Sequence, residues 1–235
     1  QLQTIEVDVI IPVHNAADTV KETVLSALNQ EIPTKSSSSL HSPSPLLRAF
    51  LEKHVLLITV CCYDDGSSDE SLAILGEIES FRSKENKHMA GERSSVISAD
   101  GLIPSRIIVQ SSKDGKARGA GYARNRAIEM NNPSVRVGEC SKVEVDSNRT
   151  NNDDHADGSN YSKFLCFLDS DDVMHKHRVI EQVLYMFSEV DKEARNRTIL
   201  GCTFDRDPPD STWHYSSWAN NLSNERLVLE KYREI

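Results

Sequence analysis

Four short runs of β-branched and other apolar residues recur along the chain, each followed by a segment with helical spacing. The runs cover residues 5–11, 55–62, 106–109 and 164–168, and residues 198–204 offer a fifth. Strands that alternate with helices predict a mostly parallel sheet with helices on both faces. The expected fold class is therefore α/β.

The helical segments lie between these runs. One helix is predicted from about Tyr122 to Met130, another over residues 176–190 and a last one over residues 226–232. Asn15 or Asp18 is expected to cap the first helix, because short polar side chains accept hydrogen bonds from free backbone N–H groups there.

Three polar segments interrupt the alternation, near residues 33–53, 82–105 and 138–162. They are rich in serine, proline or acidic residues and lack apolar periodicity, and they lower the mean hydropathy of the whole chain to −0.47. Such composition is typical of chain that does not form core. We expect these segments to be disordered surface insertions between strands.

The net charge is −9, from 27 basic and 36 acidic residues. Nucleic-acid-binding proteins usually carry a basic surface, so no nucleic-acid partner is expected. No apolar run approaches the length of a membrane span, so no transmembrane segment is predicted. Five cysteines without zinc-site spacing favour a reducing compartment, and the expected location is cytoplasmic.

Polar or glycine-rich segments follow the four runs. They cover residues 12–15, 64–69, 115–126 and 169–172. Ligands of open parallel sheets bind beyond the carboxyl ends of the strands. This shared placement predicts one binding site at that edge of the sheet.

The segment Asp169-Ser170-Asp171-Asp172 places three carboxylates directly after a strand. Carboxylate oxygens suit Mg²⁺ or Mn²⁺, and such an ion would neutralise a diphosphate leaving group. A solvated turn with a helix cap is the simpler account of an isolated cluster. The position after a buried strand and the second acidic pair favour the metal.

A second acidic pair, Asp64 and Asp65, ends the second run. Helix capping explains Gly66 to Asp69 but gives these two acids no role, so a carboxylate here is expected to accept hydrogen bonds from a base or a ribose. The glycines and basic residues of 115–126 suit an anion at a helix start, and a basic helix end with a flexible lead-in explains them about as well.

Other aromatic and histidine residues give weaker signals. His175 and His177 are expected to lie exposed at a helix start, and Trp213 and Trp218 are expected to pack, with a sugar-stacking surface as the alternative. Cys202 lies in an apolar run and is expected to behave as a small apolar residue.

The chain resembles the family 2 glycosyltransferases, which have the GT-A fold. The matching segments are Val9–Asn15, Asp64–Asp69, Ala123–Asn125 and Phe167–Asp172, in the family's order. The tail from Arg206 to Trp218 further resembles the β-1,3-N-acetylglucosaminyltransferase-like proteins. The resemblance implies transfer of a sugar, GlcNAc in those proteins, from a UDP-sugar to an acceptor hydroxyl of a glycan or other molecule, with inversion and with Mn²⁺ or Mg²⁺.

The resemblance also implies roles for individual residues. Nucleotide contacts are implied for Pro12, Val13, Asn15, Asp64, Asp65, Gly121, Arg124, Asn125 and Asp169. Asp169 and Asp171 would form the metal-binding DxD pair, with Asp171 the direct ligand, and Asp172 would lie close to the donor sugar.

The family's general base usually follows the DxD pair in a motif that this chain does not show. The downstream acids are Asp205, Asp207, Asp210, Glu225, Glu230 and Glu234. We therefore expect one GT-A domain over residues 1–235 that is truncated at its C-terminus and lacks the base and the acceptor site.

Three alternatives stay open at this point. One is a transferase that uses a GDP-sugar or a lipid-phosphate acceptor, and another is a non-catalytic nucleotide-sugar-binding or scaffold protein. A receiver-like phosphoacceptor domain fits badly, because it needs acids after strands one and three, whereas here they follow strands two and four.

Overall fold

The computed structural model describes most of the chain, and the chain divides into two compact units, Gln1–Tyr185 and Met186–Ile235. The described residues are 2–33, 44–89, 101–132, 161–208, 211–223 and 225–226. Within them, no helix has the length and apolar character needed to cross a membrane.

A four-stranded parallel sheet forms the centre of the first unit. Its strands are β1 Gln3–Val13, β2 His54–Asp64, β3 Ser105–Ser111 and β4 Tyr161–Phe167. The spatial order is β3-β2-β1-β4, and every neighbouring pair is parallel. The predicted α/β fold is confirmed, with strands that extend beyond most of the predicted ends.

Helices connect these strands and continue into the second unit. They are α1 Val20–Leu28, α2 Pro45–Leu51, α3 Ser71–Met89, α4 Ala120–Met130, α5 Arg178–Ser188 and α6 Trp213–Asn220, with a 3-10 turn at Arg195–Arg197. The crossovers from β1 to β2 and from β2 to β3 carry α1 to α3, as expected where parallel strands are joined by helices.

Several local predictions are wrong. Part of the first expected insertion forms α2, where Ser44 caps the helix and Pro45 occupies its first turn. Part of the second continues α3. Thr19 precedes α1 without a side-chain cap bond, so neither Asn15 nor Asp18 caps this helix. In the described chain, residues 198–204 form no strand.

The remaining insertion predictions fall largely on residues 34–43, 90–100 and 133–160, which lie outside the described residues. The predicted helix over residues 226–232 also lies largely outside them.

Helix α4 packs closely on one face of the sheet. Ala123 and Ala127 are buried against Ile10, Cys61 and Tyr63. The two alanines are four residues apart and therefore lie on one side of the helix, where their small side chains allow close approach. This packing fixes α4 beside the carboxyl ends of β1 and β2.

Toward the other end of α4, two acidic side chains of β1 lie under the helix. Asp8 is fully buried and accepts hydrogen bonds from Asn131 at 2.8 Å and Asn132 at 3.2 Å. Its charged partner is the ammonium group of Lys163 on β4, at 3.0 Å. The buried charge is therefore compensated, as such groups require.

Glu6 makes the stability of the fold sensitive to acid. Burial alone would raise the pKa of its carboxyl, but hydrogen bonds from Tyr161, Asn131 and Thr59, together with Lys163, lower the pKa from 4.5 to about 2. Since the folded pKa is the lower one, this stabilisation is complete above about pH 4.5 and is lost as the pH falls toward 2.

We therefore expect the free energy of unfolding, measured with urea between pH 6 and 2.5, to fall less steeply in Glu6→Gln than in the unaltered chain. Glu85→Gln is the matched control, because Glu85 is exposed on α3. Equal slopes for Glu6→Gln and the unaltered chain would contradict the assignment.

Candidate functional site

A cavity of about 350 Å³ opens beyond the carboxyl ends of β1 and β4, beside the start of α4. It is lined by Pro12, Val13, His14, Asp65, Ala117, Gly119, Ala120, Ala123, Arg124, Asp169, Ser170 and Asp171. The four polar segments of the sequence therefore meet at one edge of the sheet, which is where the sequence predicts the site.

Asp65 is the most enclosed polar group of the cavity, with 1% of its surface exposed. Its Oδ2 accepts hydrogen bonds from the backbone N–H groups of Arg118, at 2.5 Å, and Gly119, at 2.6 Å. These donors directly precede α4, so the carboxylate fixes the start of that helix. Sequence reasoning missed this role, because the two partners lie more than fifty residues away.

The second oxygen of Asp65, Oδ1, is buried and has no hydrogen-bond partner among the described residues. A buried carboxylate oxygen without a donor is costly and therefore unusual. Because Asp65 lines the cavity, an N–H or O–H donor of a bound ligand would satisfy it.

Asn15 and Asp64 hold the neighbouring loops together and do not line the cavity. The Asn15 Oδ1 accepts from the backbone N–H of Ser68 at 2.8 Å, and its own N–H donates to the Ser67 hydroxyl at 2.9 Å. Asp64 Oδ2 accepts from the backbone N–H of Ser67 at 3.2 Å. The left-handed backbone of Asn15, with φ at 48°, makes this turn possible.

His14 lines the cavity, although sequence reasoning gave it no role. Its Nδ1 lies 3.1 Å from the backbone carbonyl oxygen of Asp65. A carbonyl can only accept, so Nδ1 carries the hydrogen in this contact. Its position between Val13 and Asn15, within the first polar segment, was the available signal.

Arg124 and Asp169 form an ion pair inside the cavity. The Arg124 Nη2 lies 2.6 Å from the Asp169 Oδ1, and 37% and 52% of the two side chains are exposed. The contact joins α4 to the turn that follows β4. It places one positive charge beside Asp169, in the cavity that Asp171 also lines.

The turn after β4 is anchored from α1. The hydroxyl groups of Thr19 and Thr23 each donate to the carbonyl oxygen of Ser170 at 2.9 Å. The backbone N–H of Asp172 donates to the carbonyl oxygen of Asp169 at 3.1 Å. The carboxylates therefore stand on a defined turn, and of the three, Asp172 does not line the cavity.

The residues fit a divalent ion that is shared with a ligand. No group of three or more His, Cys, Asp and Glu side chains within the described residues could hold an ion alone. Mg²⁺ in nucleotide sites is usually held by one or two carboxylates together with substrate phosphates and water. Asp169 and Asp171 both line the cavity and are the residues that could supply that smaller donor set.

Of the three predicted nucleotide-contact residues on α4, one lines the cavity and two do not. Arg124 lines the cavity, whereas Gly121 and Asn125 are exposed and do not line it. Asn125, one position after Arg124, is rotated by about 100° around the helix, and Gly121 has no side chain that could extend toward the cavity. Pro12 and Val13, at the end of β1, line the cavity.

The structure corrects four further predictions. His175 is exposed as expected, but His177 is partly buried and burial lowers its pKa. In the second unit, Trp213 and Trp218 are exposed by 57% and 41%, so the prediction that they pack is wrong. Cys202 is also exposed and does not behave as a core residue.

Residues 8–99 match the model of the family described as Glycosyl transferase family 2. The match covers less than half of the chain and includes the second half of β1 together with α1, α2, β2 and α3. It contains the segments around Pro12 and Asp65, whereas Arg124, Asp169 and Asp171 lie outside it.

Solved structures with some similarity include TarS from S. aureus. Residues 1–349 of TarS in complex with UDP are 18% identical, and the same residues in complex with UDP-GlcNAc are 17% identical, each with a TM-score of 0.38. Both alignments cover 77% of this chain, which spans about a third of those chains, 32% and 31%. Similarity at this level establishes neither a shared fold nor a shared substrate.

Proposed function

We propose that this chain belongs to an inverting family 2 glycosyltransferase with the GT-A fold and binds the sugar donor of that enzyme. It would move a sugar, GlcNAc in our proposal, from a UDP-sugar to an acceptor hydroxyl. One observation carries the proposal: a single cavity brings together a buried unpaired carboxylate oxygen, a guanidinium group and two further carboxylates. The family match over residues 8–99 supports it independently.

Asp65 would read the base. Its unpaired Oδ1 is a buried acceptor on a residue that lines the cavity, and the imide N–H of uracil is a matching donor. Pro12, Val13 and His14 line the same part of the cavity near Asp65, so the nucleoside would lie against the end of β1.

The diphosphate would lie between Arg124 and the turn after β4. Arg124 supplies a positive charge and parallel N–H donors, a geometry suited to phosphate oxygens. Asp171, with Asp169, would hold Mn²⁺ or Mg²⁺, which supplies charge neutralisation for the leaving diphosphate.

The transfer would be a single displacement. The acceptor oxygen forms a bond to the anomeric carbon while the bond from that carbon to the diphosphate oxygen breaks, and the electron pair leaves with UDP. The acceptor proton passes to a general base. Asp172 would lie near the donor sugar, and the base itself has no assigned residue.

Calorimetric titration with UDP and with GDP, each with and without Mn²⁺, tests the proposal. We expect UDP to bind only weakly without Mn²⁺ and to bind at least about tenfold more tightly with it, since the ion would link phosphate to carboxylate. Asp171→Asn should abolish this gain. Asp191→Asn makes the same charge change outside the cavity and should keep it.

Two results would contradict parts of the proposed function. Equal UDP affinity with and without Mn²⁺ would overturn the metal assignment to Asp171. Tighter binding of GDP than of UDP would replace the proposed donor with a GDP-sugar.

A further inference from the structure

We propose that Arg124 occupies Asp169 in the unliganded protein, so that a divalent cation and a nucleoside diphosphate bind cooperatively and the cation binds poorly alone. The inference rests on the proposed function and gives Arg124 a further role, which is to make cation binding depend on diphosphate binding. Arg124 would act on the metal indirectly, by occupying one of the carboxylates that hold it.

The first step is a competition for one carboxylate. The Arg124 guanidinium takes the Oδ1 of Asp169 at 2.6 Å, and both residues line the cavity with Asp171. A cation on Asp169 and Asp171 would stand within a few ångströms of that guanidinium. Like charges at such a distance repel, so the cation alone meets a site that is already partly neutralised.

The second step is that this contact can be exchanged. Both partners are partly exposed, and ion pairs of this kind contribute little to stability, so a diphosphate can replace Asp169 as the partner of Arg124. The helix itself stays in place, because Asp65 holds the N–H groups of Arg118 and Gly119 at its start. Only the Arg124 side chain has to move.

The consequence is reciprocal coupling. A diphosphate that draws Arg124 away frees Asp169 for the cation, and the cation must raise the affinity for the diphosphate by the same factor. Without the Arg124 charge, the cation should bind more tightly alone and the coupling should shrink.

Free Mn²⁺, measured by electron paramagnetic resonance during titration with and without UDP, tests this proposal. In Arg124→Gln we expect Mn²⁺ alone to bind about three- to tenfold more tightly than in the unaltered chain, and the UDP-dependent gain to fall by a similar factor. Arg124→Lys keeps the charge and should keep the coupling.

Arg126→Gln is the matched control. Arg126 lies on the same helix, pairs with Glu129 at 2.5 Å and does not line the cavity. It loses the same charge, so any long-range effect on Mn²⁺ appears in both variants. The Asp171→Asn variant is a second control, because any Mn²⁺ that it still binds is held elsewhere on this acidic chain.

The outcomes separate the two proposals. Metal-dependent UDP binding, with the same Mn²⁺ affinity in Arg124→Gln as in Arg126→Gln, would overturn the role of Arg124 and leave the proposed function standing. No UDP binding under any condition would overturn both.

Discussion

Replacing Asp65 by asparagine should weaken UDP binding by about 10- to 100-fold, the loss expected for a charge-assisted hydrogen bond of about 1.5–3 kcal/mol. The site needs two acceptor oxygens: one for the N–H groups of Arg118 and Gly119, and one for the ligand. Asparagine offers a single acceptor, because its other terminal group is a donor. Either the helix start or the ligand then faces an N–H group.

Calorimetry with UDP and saturating Mn²⁺ measures this loss, and Asp64→Asn is the control. Asp64 is equally buried but does not line the cavity, so its variant should lose stability rather than affinity. Unchanged UDP affinity in Asp65→Asn would remove Asp65 from the binding site.

Replacing Gly66 by alanine should lower the free energy of unfolding by about 2–4 kcal/mol, because two penalties add. Its φ of 75° lies in the left-handed region that side chains disfavour. A Cβ atom would also stand 2.6 Å from the backbone oxygen of Gly115. Backbone cannot yield as a side chain does, so the loop around Gly115 beside the cavity has to shift.

Two alanine variants separate these penalties in urea unfolding. Gly115→Ala has a φ of 64° but open space around the new methyl, so it should cost only about 1 kcal/mol. Gly76→Ala lies within α3 with nothing near it and should stabilise by about 0.5–1 kcal/mol. A loss for Gly66→Ala no larger than that for Gly115→Ala would refute the close approach.

Much of the first unit could be predicted from sequence, because its strands are short apolar runs and its helices have periodic apolar residues. β1 and β2 are buried along nearly their whole length, which is what makes their runs continuous. Helix α2 was missed since it is only seven residues long and follows a serine- and proline-rich segment, where composition indicates no core.

The site was predicted less completely than the fold. The acids at the strand ends were found, since their positions follow from where each strand stops. The network of Glu6 and Asp8 was missed, because its donors just after α4 and on β4 are 123 to 157 residues distant in the chain. His14 was missed although it lies within the first polar segment, because a lone histidine there has no chemical motif of its own.

The sequence by itself determined that polar residues collect at the carboxyl ends of parallel strands, because local apolar patterns show where each strand ends. Only the tertiary structure decided which of them face the cavity. Adjacent side chains at a strand end point in opposite directions, so Asp65 reaches the cavity while Asp64 holds a loop. The partner of Asp169 was likewise decided by the packing of α4, which brings Arg124 across 45 residues of chain.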